Sequence, residues 1–387
     1  MQTKILTIAI FIMSGLAIVL YPIPDQQATA GIKNPIPDHK KPKIQIAILL
    51  DTSSSMNGLI SQTREQLWQT INQFSRTKKN GVTPILEVAV YEYGNNRLAA
   101  NTGYIRRLTH LTPELDAVSE ALFSLTTNGG EEYCGYVINT ATNELKWSTS
   151  DNDIKIMFIA GNEPFTQGPV SFRNAIAAAK RKGISINTIY AGNSQTGANT
   201  GWKQGALLAG GDYMNINQNQ AVVHINAPQD KRLARLSTEL NKTYVPYGKQ
   251  GRSKVQRQAM QDEKSMQLSS GFMAKRARTK ASAYYNNSGW DLVDAFKNKK
   301  VDLAKVQPST LPAPLQKMSQ NELKGYIEKQ AEKRKAIREA IRKLGEKRRA
   351  YVTKEKLKAN KPSGKTVNDA MSAAIKKEAR KKQYIFQ

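Results

Sequence analysis

The chain has 387 residues, 58 Lys and Arg against 31 Asp and Glu, three His and one Cys, with 40% hydrophobic content. One cysteine excludes a disulfide framework and a cysteine-based zinc cluster, and His39, His110 and His224 share no ligand spacing. The +27 net charge is uneven: residues 1–227 hold 19 basic and 16 acidic side chains, whereas residues 228–387 hold 39 and 15, so a near-neutral region precedes a strongly basic one.

The N-terminus reads as an export signal. Met1–Lys4 is short and positive, Ile5–Leu20 is largely apolar, and Ala28-Thr29-Ala30 gives a small-x-small pattern ahead of Gly31. The apolar run is short for a membrane span, and Pro22 and Pro24 follow it at once. Residues 1–30 are thus expected to be removed, leaving a periplasmic or secreted protein with no transmembrane segment; the alternative is an uncleaved N-terminal membrane anchor. Residues 31–43, with Pro35, Pro37 and Pro42, read as a solvated linker.

Strands and helices then alternate. Ile44–Leu50 is a nearly continuous apolar run, the pattern of a strand buried on both faces, and Asp51-Thr52-Ser53-Ser54-Ser55 follows it. A helix is predicted from about Gly58 to Ser75, with Leu59, Leu67, Ile71 and Phe74 near helical spacing. Strands are predicted at Ile85–Tyr91 and Tyr104–Leu108. Thr112-Pro113-Glu114 opens a helix, and the loop Thr126–Glu132 leads to another over about Tyr133–Trp147. A buried strand at Ile154–Ala160, a helix over Val170–Lys182, a strand at Ile184–Tyr190, a short helix near Trp202–Ala209 and a last strand at Tyr213–Ile216 complete the series. This alternation predicts an α/β fold, a doubly wound and mostly parallel sheet of Rossmann-like type over residues 44–227, followed by a basic, mostly helical C-terminal extension.

A buried strand ending in Asp51-x-Ser53-x-Ser55 and followed by a helix resembles the von Willebrand factor type A domain, and the resemblance spans about Ile44 to Ile216. It implies a metal-ion-dependent adhesion site at the carboxyl ends of the parallel strands, used for non-covalent capture of a partner's carboxylate rather than for catalysis. A carboxylate and two hydroxyls are hard oxygen donors suited to Mg²⁺, with Mn²⁺ or Ca²⁺ as alternatives. The chain departs from the family pattern twice. Glu131 follows Gly129-Gly130 where the family carries a Thr ligand, with Thr127 upstream as the other option; Gly161 stands where the family usually has an Asp, with Asn162 and Glu163 next to it. The implied metal set is therefore Asp51, Ser53, Ser55, Glu131, Asn162 and Glu163. The competing expectation is that Asp51, Ser53 and Ser55 merely cap the following helix. Cys134, beside Glu131 and Glu132, is expected to be a small buried side chain rather than a nucleophile, and no nucleophile elbow or phosphate-binding loop is present.

Residues 228–310 read as mixed helix and loop, with a helix over Gln229–Leu240, an exit from the domain at Tyr244–Gly251, and an amphipathic segment Ser288–Phe296 with Ser288 as N-cap. The apolar Trp290, Val293 and Phe296 are expected to dock back on the domain. Residues 311–387 open with Pro312 and Pro314. Ser319 and Glu322 form a capping box starting a helix to about Arg349, whose apolar stripe is interrupted by Gln330 and Arg334. Asn360–Lys365 is the expected turn of a helical hairpin that returns over Val367–Lys382. The expected partners are a protein bound through an acidic side chain and, for the basic tail, an anionic envelope surface; no nucleic-acid recognition motif is present. The alternative function is a metal-independent envelope scaffold acting through that tail.

Overall fold

Lys43–Asp51 (β1) is apolar because neither of its faces meets solvent: every residue after Lys43 is buried. Its alternate side chains feed two different cores. Ile44, Ile46, Ile48 and Leu50 enter one, Ala47 and Leu49 the other. The same two-residue alternation divides Ile85–Tyr93 (β3) and Ile154–Gly161 (β5) between the two layers. With Ile105–Thr112 (β4), Ser185–Ala191 (β6) and Gly210–Ile216 (β7), these strands form a six-stranded sheet ordered β4-β3-β1-β5-β6-β7, antiparallel only at β4. The computed structural model describes residues 41–74, 77–217, 225–358 and 367–386, all within one compact unit. The export signal, most of the linker, His39, His224 and the turn Asn360–Lys365 lie outside the described residues.

One face of the sheet is covered by Cys134–Glu144 (α3), Phe172–Arg181 (α4) and, after the short Ser194–Asn199 (α5), Trp202–Leu208 (α6). The other face is covered by Asn57–Phe74 (α1) and Leu115–Ser124 (α2). On that second layer the C-terminal part of the chain adds Asp230–Asn241 (α7), Gly251–Leu268 (α8), Ser270–Lys280 (α9), Leu292–Lys297 (α10), the 39-residue Gln320–Lys358 (α11) and Val367–Lys381 (α12). Leu233, Phe272, Ile341 and Ile375, from four of these helices, share one apolar core with β1. The last residues, Ile385–Phe386 (β8), pair with Thr77–Lys78 (β2). Among the described residues no helix is long and apolar enough to cross a membrane.

Several expectations for the extension are corrected. Tyr244–Gly251 does not lead away from the domain: the amide of Val245 donates to Asp291 (2.7 Å) and that of Tyr247 to the Trp290 carbonyl (2.9 Å). The cap of α10 is Asp291, which accepts from Asp294 N–H, rather than Ser288. Trp290 and Val293 are buried as expected. The capping box at α11 forms, with Ser319 N–H on Glu322 and Glu322 N–H on Ser319, but the helix runs nine residues beyond Arg349. No hairpin forms along it, because α12 lies on α1 and on β5, β6 and β7.

Arg334, which the apolar pattern treats as a break in the stripe, is buried and donates to Asp291 and Asp294 (2.7 Å), with its guanidinium 4.1 Å from the Tyr244 ring centre. A second buried cluster joins the extension to α2. Arg276 donates to Asp116 (2.8 Å) and Asp262 and lies over Trp68, while Lys280 donates to Asp262 (2.7 Å) and Ser237 (3.1 Å). Burial alone would raise the Asp262 carboxyl; Lys280 and Arg276 outweigh it and hold it at about 2. A buried ion loses far more than a surface one when its partner is removed. Arg276→Leu, which strands Asp116 and Asp262, is therefore expected to destabilise the protein by about 3–5 kcal/mol in urea titrations. A loss below about 1 kcal/mol would contradict this account of the junction.

Candidate functional site

Strand β1 lies where the sheet order reverses, with β3 on one side and β5 on the other, so the loops leaving it open a crevice at its carboxyl end. Asp51 ends the strand there in register with Tyr93 of β3 and is fully buried. Its Oδ1 accepts from the Ser53 amide at 2.7 Å, and its Oδ2 has no hydrogen-bond partner. Two glycines admit the carboxylate. A Cβ at Gly94, where φ is +76°, would lie 2.9 Å from Asp51 Oδ1 and 2.8 Å from Glu132 Cγ. A Cβ at Gly161 would lie 3.0 Å from Asp51 Oδ2 and 2.7 Å from the Tyr93 hydroxyl. A side chain at residue 161 would crowd the Tyr93 hydroxyl and press on Asp51 Oδ2, so the bare glycine suits this position.

The hydroxyls face one another above this carboxylate. Ser53 is the residue before the short 3₁₀ turn Ser54–Met56, yet its side chain makes no capping hydrogen bond. Ser53 Oγ and Ser55 Oγ instead lie 3.2 Å apart, and the Asn162 amide donates to Ser55 Oγ at 3.1 Å. The helix-capping alternative thus does not account for Ser53. Backbone hydrogen bonds tie the surrounding loops together: Thr52 N–H to the Tyr93 carbonyl (2.8 Å), Asn128 N–H to the Thr52 carbonyl (3.0 Å) and Asn96 N–H to the Gly129 carbonyl (2.6 Å).

The acidic neighbours are arranged differently from expectation. Glu131 is exposed and accepts from Gln167 Nε2 at 2.7 Å. The adjacent Glu132 turns inward, is buried, and feels the charge of Asp51. Two consecutive residues entering α3 cannot point the same way, and the inner position falls to Glu132. Thr127 is half-buried and donates to Asn57 (2.8 Å). Glu163 is exposed at the mouth, close enough for its charge to act on both Asp51 and Glu132. The structure thus gathers Asp51, Ser53, Ser55 and Asn162, adds Glu132, leaves Glu163 at the rim and turns Glu131 away. Behind Asp51 the Tyr93 hydroxyl donates to the Ala160 carbonyl (3.0 Å) and lies 3.7 Å from Cys134 Sγ. Burial pushes that thiol well up, which suits a packing role. The sequence places Glu132 among the carboxylates of the sheet edge but not in the ligand set, and does not mark Tyr93; the one signal for Glu132 is the doublet Glu131-Glu132 ahead of a helix whose buried face starts at Cys134.

Burial, helped by the Glu163 charge, raises the Asp51 carboxyl to about 7 against the pull of the Ser53 hydrogen bonds. Burial, then the charges of Asp51 and Glu163, raises Glu132 to about 8. A buried carboxylate with an orphaned oxygen, two adjacent hydroxyls and an amide fits a hard divalent cation, which would supply the missing positive charge. Among the described residues no group of three or more His, Cys, Asp or Glu side chains is placed to hold an ion by itself, so hydroxyl oxygens would complete the donor set.

Both carboxyls bind protons more tightly when folded than when unfolded. Between about pH 4 and pH 8 the folded state holds the extra protons, and stability falls as pH rises through that window. In buffer containing EDTA the thermal midpoint is expected to be several degrees lower at pH 8 than at pH 5.5, and Asp51→Asn is expected to flatten the profile. A wild-type midpoint that holds or rises toward pH 8 while Asp51→Asn behaves identically would contradict this.

No curated protein matches the chain. Solved structures similar to it include proximal thread matrix protein 1 of the mussel byssus with a zinc-occupied MIDAS motif (14% identity, 46% of this chain and 43% of that one, TM-score 0.35). They also include BatB of Bacteroides thetaiotaomicron (13% identity, 45% and 90%, TM-score 0.34) and the pilus adhesin SpaC of Lactobacillus rhamnosus GG (14% identity, 46% and 28%, TM-score 0.33). The chain spans less than half the length of the mussel matrix proteins it matches. Residues 45–200 match the family model of the von Willebrand factor type A domain.

Proposed function

We propose that the crevice at Asp51 holds one divalent cation, Mg²⁺ or Mn²⁺, and that the protein captures an acidic side chain of a protein partner there. The observation that carries this reading is the buried Asp51 carboxylate, one oxygen of which has no partner while two hydroxyls meet beside it. Asp51, Ser53 and Ser55 would hold the ion, Asn162 would orient Ser55, and Glu132 would add negative charge from inside. The cation would supply a positive centre with an exchangeable position for a carboxylate. The export reading of residues 1–30 accords with capture outside the cytoplasm.

Metal binding must displace protons from Asp51, so affinity should climb between pH 6 and pH 8. Calorimetric titration of Mn²⁺ and of Mg²⁺ at pH 7.5 is expected to give saturable heats with wild type, at least tenfold weaker binding with Asp51→Asn, and near-wild-type binding with Glu131→Gln. Indistinguishable titrations of wild type and Asp51→Asn would remove the site and leave the metal-independent scaffold as the better reading.

A further inference from the structure

Helix α11 sorts its charges by face. The side against the protein carries Ile327, Arg334, Ile341 and Arg348 at seven-residue steps, all buried; Arg334 is held by Asp291 and Asp294, and Arg348 by Asp230. One exposed flank carries acid–base pairs at the same repeat: Glu332 with Lys335 (3.9 Å), Glu339 with Arg342 (2.7 Å) and Glu346 with Arg349. The other exposed flank carries Lys329, Lys333, Lys347 and Lys354, and among the described residues no carboxylate lies within ion-pair distance of any of them. At 100° per residue these four lysines fall within roughly 60° of one another, along about 38 Å of helix. Exposed Ala336 and Ala340 fill the same sector between the two halves, so nothing bulky screens the ammonium groups.

Like charges aligned without counter-ions repel, and the helix has the carboxylates to neutralise them but places these on the opposite flank. We propose that this lysine row is a docking strip for a linear polyanion bearing phosphate along its backbone. Lysine is a compact point charge suited to phosphate, and a row on a straight cylinder meets a chain of charges along its length. Apart from the half-buried Tyr351, which falls in the same sector, the strip carries no large apolar or aromatic side chain of the kind on which interfacial helices and single-strand binders depend.

The test uses the full chain, inorganic polyphosphate as probe, and two multiple variants. The first is K329Q/K333Q/K347Q/K354Q; the second, K335Q/R342Q/R349Q, removes basic groups from the paired flank. Both sets are exposed, and circular dichroism checks that each variant keeps its helices. Polyphosphate binding is expected to weaken more than tenfold in the first variant, with the slope of log affinity against log salt smaller by about 3, and less than threefold in the second. Equal weakening in both variants, or none in the first, would overturn the strip as a site and leave only diffuse positive charge. Binding to vesicles of 30% phosphatidylglycerol that is lost in the first variant while polyphosphate is not bound would overturn the assignment in favour of a membrane surface. Because Asp51 lies in a separate crevice, none of these outcomes depends on the metal reading.

Discussion

A carboxylate buried at the end of a fully buried strand governs the rest of the site. β1 has no solvent-facing side chain, so its polar termination is delayed to its last residue, and Asp51 emerges where the strand order divides. One of its oxygens accepts from the amide two residues on, and the other has no hydrogen-bond partner within 3.5 Å among the described residues. An unsatisfied buried acid is costly as an anion, and protons or a cation are the two ways to relieve it. The glycines on either side make the arrangement sterically feasible, and Tyr93 fills the floor of the cradle. The departures from the family pattern follow from this geometry. With Gly161 required to be bare, negative charge enters from the opposite wall through Glu132.

The extension obeys a different rule. Beside the apolar residues that its helices share with one another and with the sheet, buried arginine and lysine matched to aspartates link them to α2 and to each other. Arg276 bridges Asp116 and Asp262, Arg334 bridges Asp291 and Asp294, and Arg348 meets Asp230. Such pairs cost desolvation and gain little over apolar packing, but a misplaced helix would leave each charge stranded. In α11 the alternation of Ile and Arg at one heptad position ties the helix to a single register, because a shift by one repeat would set an arginine against an isoleucine's apolar pocket.

How much of this was legible follows the same division. The central strands were readable because burial on both faces produces nearly continuous apolar runs, and Asp51, Ser53 and Ser55 were readable because they sit next to one of these. The inward turn of Glu132 was not, since a doublet of identical residues gives no hint of which one faces the crevice. Gly161 reads as a lost ligand in one dimension and as a steric requirement in three. In the extension, α8 and α9 were hidden because polar Gln258, Gln261 and Ser265 are buried there, with Gln261 on Ser119 and Gln258 on Tyr285, where apolar periodicity was the signal sought. Arg334 was misread for the same reason: a charged residue in a stripe looks like an interruption until its aspartates, some forty residues earlier in sequence, are seen beside it.

These two regions also solve the problem of a net charge of +27 in opposite ways. Near the sheet the unusual groups are acids held without enough positive charge; in the extension positive charge is in excess, and every buried cation has been given an aspartate. Folding thus draws Asp230, Asp262, Asp291 and Asp294 into ion pairs with the interior cations. The surface of α11 carries glutamates and a larger number of basic groups, and their distribution is not what simple solubility requires. Solubility is served by mixing signs, as the Glu332, Glu339 and Glu346 flank does. A row of uncompensated lysines beside a row of compensated ones costs repulsion that an even mixture would avoid, so the separation calls for an external source of negative charge. The same argument run at Asp51 calls for an external source of positive charge. Each of the two regions is therefore electrostatically incomplete, and the two deficits have opposite sign.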